Sequence, residues 1–228
     1  FKNKEEGIKD VSIAIGHTRW ATHGKVVIEN THPIVSENVA VVHNGIVENY
    51  DEIKLELSEK KVVFETTTDT EVIPHLLNIS MKKTKNFFDA CVSVVDQIKG
   101  AYAFAAIHNL NEEIFVARKT SPLVIGIGSG YNIVGSDAQS ISQMVAEVIY
   151  LNDGDYAILN KTKIKIYDSN NKRVEREKIN IKSNLNFLNK DGFKHFMEKE
   201  IHEQPNVLIN TIGSLVREEN DLNIFPEK

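Results

Sequence analysis

The chain holds 228 residues, 41% of them hydrophobic and 26% charged, which suits one large globular domain or one domain with a short extension. Its net charge of -5 comes without any block of like charges, which argues against nucleic acid or an anionic membrane surface as partners. No apolar stretch reaches membrane-spanning length, and Cys91 is the sole cysteine, so an internal disulfide is excluded and a reducing, cytoplasmic compartment is expected.

The opening, FKNKEEGIKD, has no initiator methionine and no signal peptide, and it runs directly into a strand-like segment. A chain lacking its natural start is the expectation. Residues 11–16 (VSIAIG) and 38–44 (NVAVVHN) read as strands, being rich in β-branched residues between polar flanks. The Glu/Lys content of ENYDEIKLELSEK predicts a helix, followed by a short strand, KVVFE. Thr68 and Glu71 have the spacing of a capping box before VIPHLLNIS, with Pro74 early enough to be tolerated. Phe87, Phe88, Cys91, Val94, Val95 and Ile98 share a helical face, with Gly100 just past its end.

Short strands dominate thereafter: AYAFAAIH, EIFVARK, PLVIGIG, YNIVGS, EVIYL, DYAILN and KIKIYD, interrupted by a short helix in AQSISQMV. Asn152-Asp153-Gly154 and Ser169-Asn170-Asn171 read as hairpin turns. A helix with Phe193, Phe196, Met197, Glu200 and Ile201 at helical spacing is expected to stop at Pro205, with another helix in NVLINTIGSLVRE. Many antiparallel-type strands with helices grouped at two places predict an α+β sandwich rather than a doubly wound βαβ sheet.

Residue types that carry chemistry gather in the first third. GHTRWATHGK follows a strand, and Arg19 beside Trp20 reads either as a bidentate carboxylate clamp or as a surface ion pair with a packed indole. His17, His23, His32 and His43 have neither helical zinc-site spacing nor a Cys/His cluster, so they read as structural groups and no metal is expected. Asn44-Gly45 is a strong turn signal, yet the segment after it reads as helix rather than a returning strand. The alternative is an oxyanion hole, with the Asn44 amide and the following backbone N–H as donors. Asp69 reads as a helix cap or as a partner for a substrate ammonium. Cys91, on an apolar helical face, reads as an inert core thiol. Asp153-Gly154-Asp155 lacks the full calcium-loop pattern, and GIGSG lacks the Lys-Ser/Thr of a phosphate loop, so both read as turns.

The stretches HTRWATHG, HPIVSENVAVVHNGIVENY, TDTEVIPHLL, GAYAF, ARKTSPLVIGIG, GSD, LNDGDYAIL and FKHFMEKEIHEQPNVLINT resemble, in order, the glutaminase domain of the glutamine–fructose-6-phosphate aminotransferase family. HTRWATHG and FMEKEIHEQP separate it from the phosphoribosylpyrophosphate amidotransferases, which share the domain. The resemblance implies an N-terminal-nucleophile (Ntn) αββα four-layer sandwich, two antiparallel sheets between helical layers, over residues 1–212, with residues 213–228 leading toward a sugar isomerase domain.

It further implies that Arg19 grips the α-carboxylate of glutamine and Asp69 its ammonium. Trp20, Thr22 and His23 would line the pocket, and Asn44 and Gly45 would form the oxyanion hole. The family's nucleophile is an N-terminal cysteine whose own amine is the base. Its enzymes pass ammonia from glutamine to fructose 6-phosphate, need no cofactor, and are expected to be homo-oligomeric. Residue 1 here is Phe1, so the resemblance leaves the chain without that nucleophile and predicts no glutamine hydrolysis by it alone. A glutamine-binding relative without catalysis, or a purely structural piece, are the alternatives.

Overall fold

In the computed structural model, residues 11–19, 26–181 and 192–215 are described, with side chains as far as residue 209. The chain divides into two units, residues 1–182 and 183–228. The first contains β1 (Ile34–Ser36), β2 (Val39–Val47), α1 (Tyr50–Glu59), α2 (Val72–Thr84), α3 (Phe87–Val95), β3 (Gly100–His108), β4 (Ile114–Lys119), β5 (Val124–Ile127) and β6 (Asn132–Gly135). It continues with α4 (Ala138–Ile141), β7 (Glu147–Tyr150), β8 (Tyr156–Leu159), β9 (Ile164–Tyr167), β10 (Arg173–Val174) and β11 (Lys178–Asn180). The second contains α5 (Phe196–Leu215).

The period-2 alternation of strand side chains sorts the apolar residues into layers. Seven strands pair in the order β1-β2-β3-β4-β8-β9-β10, and four in the order β11-β7-β5-β6; every pairing is antiparallel. One face of the larger sheet turns Val39, Val41, Phe104, Phe115 and Ile158 toward α1, α2 and α3, which bury Leu57, Ile73, Leu77 and Val94 against it. The other face turns Ala103, Ala105, Val116 and Ala157 toward Ile125 and Ile149 of the smaller sheet. The far side of that sheet packs Val124 and Val148 on Ile141 of α4. Helix, sheet, sheet, helix is the four-layer α+β sandwich that the sequence predicts.

Aromatic rings reinforce the helix-facing side. Phe104, Phe115, Tyr156 and Tyr167 run across the sheet with successive centroids 6.0, 5.7 and 5.5 Å apart. Such contacts each add roughly 0.5–1.5 kcal/mol to the gain from burial. Phe88 of α3 closes over the last of them at 4.8 Å. Two helix starts follow side-chain chemistry: Asn86 caps α3 through the Asp89 N–H at 3.1 Å, and Asp137 caps α4 through the Ser140 N–H at 2.7 Å.

Several local expectations differ from the structure. Residues 11–16 and 62–65 form no strand and Lys61 sits in a turn at φ 64°, so strand composition alone does not make a ladder. Asn152-Asp153-Gly154 is a crossing between sheets rather than a hairpin, since β7 and β8 belong to different sheets. Its fixed point is Asp155, buried and held by Arg176 through two 2.7 Å hydrogen bonds. Ser169-Asn170-Asn171 does join a hairpin, β9 to β10, and GIGSG joins β5 to β6. Gly100 opens β3 at φ 120° rather than capping α3. α5 continues through Pro205 instead of stopping, at the cost of one intrahelical donor.

Candidate active site

The edge of the larger sheet decides the geometry. β1 pairs with β2 only from Val39 to Val41, so the rest of β2 has β3 on one side and no strand on the other among the described residues. Side chains take the place of that missing strand. The outward Val47 N–H donates to Asp69 Oδ2 at 2.7 Å.

Alternation along β2 sends His43 to the helix-facing side, where it is buried, and Asn44 to the side between the sheets. There Asn44 lines a cleft of about 550 Å³ together with His17, Val42, Ala105, Val134 and Ser136. Its Oδ1 lies 2.7 Å from His17 Nε2, and its Nδ2 donates to Ser136 Oγ at 3.0 Å. Asn44-Gly45 is therefore part of a strand, and the turn alternative is excluded.

Gly45 is exposed, with φ at 115°, a region open in practice to glycine. A Cβ there would lie 2.0 Å from the Ala101 carbonyl oxygen, so the β2–β3 pairing itself requires glycine.

Asp69 is almost fully buried and has both oxygens engaged, Oδ2 by Val47 and Oδ1 by the Thr68 hydroxyl at 3.3 Å. It begins a 3-10 turn whose cap is Thr68, through a 3.4 Å bond from the Thr70 N–H. The capping box is not completed as expected. Glu71 instead reaches back to the Glu65 and Thr66 N–H groups at 2.7 and 2.8 Å and to the Thr66 hydroxyl at 2.6 Å.

Arg19 is half-buried, and its charge bears on His32. Trp20, Thr22 and His23 lie outside the described residues. The structure thus brings Asn44 to the cleft, leaves Gly45 exposed beside it in the strand, and bonds Asp69 to Val47 of the same strand, two residues beyond Gly45.

The sequence reading missed how three histidines converge. His32 Nδ1 is 3.4 Å from His17 Nδ1, and His32 Nε2 is 3.1 Å from Thr70 Oγ1. His43 Nδ1 lies 2.9 Å from the same hydroxyl. Burial above all, and then His17, His43 and Arg19, push the His32 pKa down to about 4, against a pull upward from Asp69. Burial likewise lowers His43 to about 4, opposed by Asp69 and aided by His17. Both rings are neutral at pH 7. Among the described residues no group of three or more His, Cys, Asp or Glu is placed to hold a metal ion.

Cys91 is fully buried in the helix-facing core, where desolvation raises its thiol well above the usual range. That position cannot supply a nucleophile to the cleft.

Residues 17–143 match the glutamine amidotransferase domain, a span that includes the whole cluster around Asn44. The chain belongs to the glutamine amidotransferase domain family. It is 42% identical over 214 residues to the glutamine–fructose-6-phosphate aminotransferase (isomerizing) of Acinetobacter baylyi, covering 91% of this chain and 35% of that protein. The counterpart from Idiomarina loihiensis is 43% identical over 226 residues, covering 98% and 37%. This amidotransferase domain chain thus spans about a third of the length of those relatives. Among solved structures, the glutamine phosphoribosylpyrophosphate amidotransferase of B. subtilis matches with a TM-score of 0.56 and 27% identity, covering 67% of this chain and 34% of that one. The four layers are those of the Ntn amidotransferase sandwich. No helix among the described residues is long and apolar enough to cross a membrane.

Proposed function

We propose that this chain is the glutamine-hydrolysing part of a glutamine–fructose-6-phosphate aminotransferase, with glutamine bound at the cleft beside Asn44. The observation that carries this reading is the Asn44 carboxamide. Its oxygen is occupied by His17 and its nitrogen faces Ser136 at the cleft, next to the exposed Gly45. A fixed amide donor facing a cleft suits a developing oxyanion.

In this reading Arg19 pairs with the α-carboxylate of glutamine and Asp69 with its ammonium, while Trp20, Thr22 and His23 complete the wall. Asp69 then serves two tasks, since its carboxylate also holds the Val47 N–H. The attacking thiolate belongs to an N-terminal cysteine of the family type. Cys91 does not substitute for it.

Residues 1–212 act as the glutaminase domain and 213–228 lead to an isomerase domain, where fructose 6-phosphate accepts the ammonia. The whole enzyme is a cytoplasmic homo-oligomer. Identity to two aminotransferases over most of the chain supports this assignment.

The test is Asn44→Ala in protein carrying the N-terminal cysteine. Turnover of glutamine falls roughly 10²–10³-fold while KM changes little, as expected for one oxyanion donor. A large rise in KM with kcat unchanged would limit Asn44 to substrate binding and overturn its assigned role.

A further inference from the structure

Asn44 and His43 are neighbours in β2 on opposite faces of the sheet, yet their side chains are joined around its open edge. The contacts run from Asn44 Oδ1 to His17 Nε2 at 2.7 Å, and from His17 Nδ1 to His32 Nδ1 at 3.4 Å. They continue from His32 Nε2 to Thr70 Oγ1 at 3.1 Å and from Thr70 Oγ1 to His43 Nδ1 at 2.9 Å. From these distances we infer that His17, His32, Thr70 and His43 are positioning residues, a one-directional hydrogen-bonded belt that fixes which end of the Asn44 carboxamide faces the cleft. Its value to catalysis rests on the proposed glutamine site; the belt itself does not.

Proton counting gives the direction. A carboxamide oxygen only accepts, so His17 Nε2 carries a hydrogen and, in a neutral ring, Nδ1 is bare. Two bare nitrogens cannot bond, so His32 donates from Nδ1 and its Nε2 is bare. Thr70 must then donate its hydroxyl to His32 Nε2, and the same oxygen accepts from His43 Nδ1–H.

The last atom, His43 Nε2, comes out bare, and it is a buried nitrogen with no hydrogen-bond partner among the described residues. The reverse direction would put an N–H at that position with nothing to accept it, the costlier way to leave a buried group. It would also turn the amide oxygen of Asn44 toward Ser136 and into the cleft, where an oxyanion would be repelled. With the forward order, one N–H of the Asn44 amide goes to Ser136 and the second remains for a guest oxygen.

Neutrality of the rings is what makes the order unique, because a protonated histidine donates from both nitrogens. Burial above all, with repulsion from His17 on both rings, keeps His32 and His43 uncharged at neutral pH. Asp69, Arg19 and His17 are the charged or titratable neighbours that act on them.

The decisive experiment is long-range ¹H–¹⁵N spectroscopy of the histidine rings in the 228-residue chain at pH 7, with the Asn44 side-chain amide observed in parallel. The wild type should show single tautomers, Nε2–H for His17 and Nδ1–H for His32 and His43. Thr70→Val, which removes the central hydroxyl at nearly constant shape, should convert His32 and His17 to tautomer mixtures and shift the Asn44 amide. Thr70→Ser should restore the wild-type pattern. A structural role for Thr70 alone would leave His17 and Asn44 unmoved, and that result overturns the belt.

Wild-type His17 protonated on Nδ1 overturns it as well, even if Thr70→Val fails to fold. Adding L-glutamine separates the two readings: a wild-type tautomer pattern as stated with no glutamine-induced change at Asn44 upholds the belt and counts against the proposed function.

Discussion

His32 and His43 flank one hydroxyl, that of Thr70, and both titrate near 4 in the folded protein against 6.5 for an ordinary histidine. As pH falls below about 6.5 the unfolded chain takes up protons that the folded chain refuses, so stability declines. The loss proceeds at up to about 1.4 kcal/mol per pH unit for each histidine, and stops where the folded rings finally protonate. Denaturant melts between pH 7 and pH 4 should show this decline, and replacing both rings with glutamine should flatten it. Gly45 and Gly130 make a second residue-scale comparison. Both have positive φ, 115° and 80°, but only Gly45 meets backbone, at 2.0 Å, whereas nothing lies within 4 Å of a Cβ on Gly130. Gly130→Ala should therefore cost only the conformational strain of about 1–2 kcal/mol, and Gly45→Ala clearly more. Urea midpoints at unchanged m-value measure the difference.

Among the elements, those that contact their own apolar layer were readable. The apolar runs in AYAFAAIH and EIFVARK and the helical face of Phe87 to Val94 name β3, β4 and α3 directly. Elements that depend on a distant partner were not. VSIAIG and KVVFE have strand composition and no ladder, while β1, β10 and β11 are two or three residues long and carry no period. The loop before α2 shows the same dependence. Thr68 and Glu71 have the right spacing for a capping box, but the glutamate serves Glu65 and Thr66 instead. Glu71→Ala should leave those two N–H groups without an acceptor, at about 1–3 kcal/mol for each that stays buried. Thermal unfolding reports the sum, and a change below 0.5 kcal/mol would mean that water replaces the carboxylate.

For the molecule as a whole, the sandwich followed from strand number and helix grouping, whereas Asn44-Gly45 left a turn and an oxyanion hole both open, and its place within β2 excludes only the turn. The convergence of His17, His32 and His43 did not follow, because it comes from β1 stopping short and leaving the edge of β2 to side chains. No spacing along the sequence encodes that. The same edge puts Asp69 against Val47, so a residue proposed to meet substrate is also part of the frame. All of this centres on one claim, that the cleft beside Asn44 receives glutamine with its head group clamped by Arg19. Calorimetric titration of the chain with L-glutamine tests it most directly. Saturable one-to-one binding is expected, and Arg19→Ala should abolish it while leaving the melting temperature in place. Absence of binding by the folded wild-type chain, or an affinity indifferent to Arg19→Ala, would contradict it.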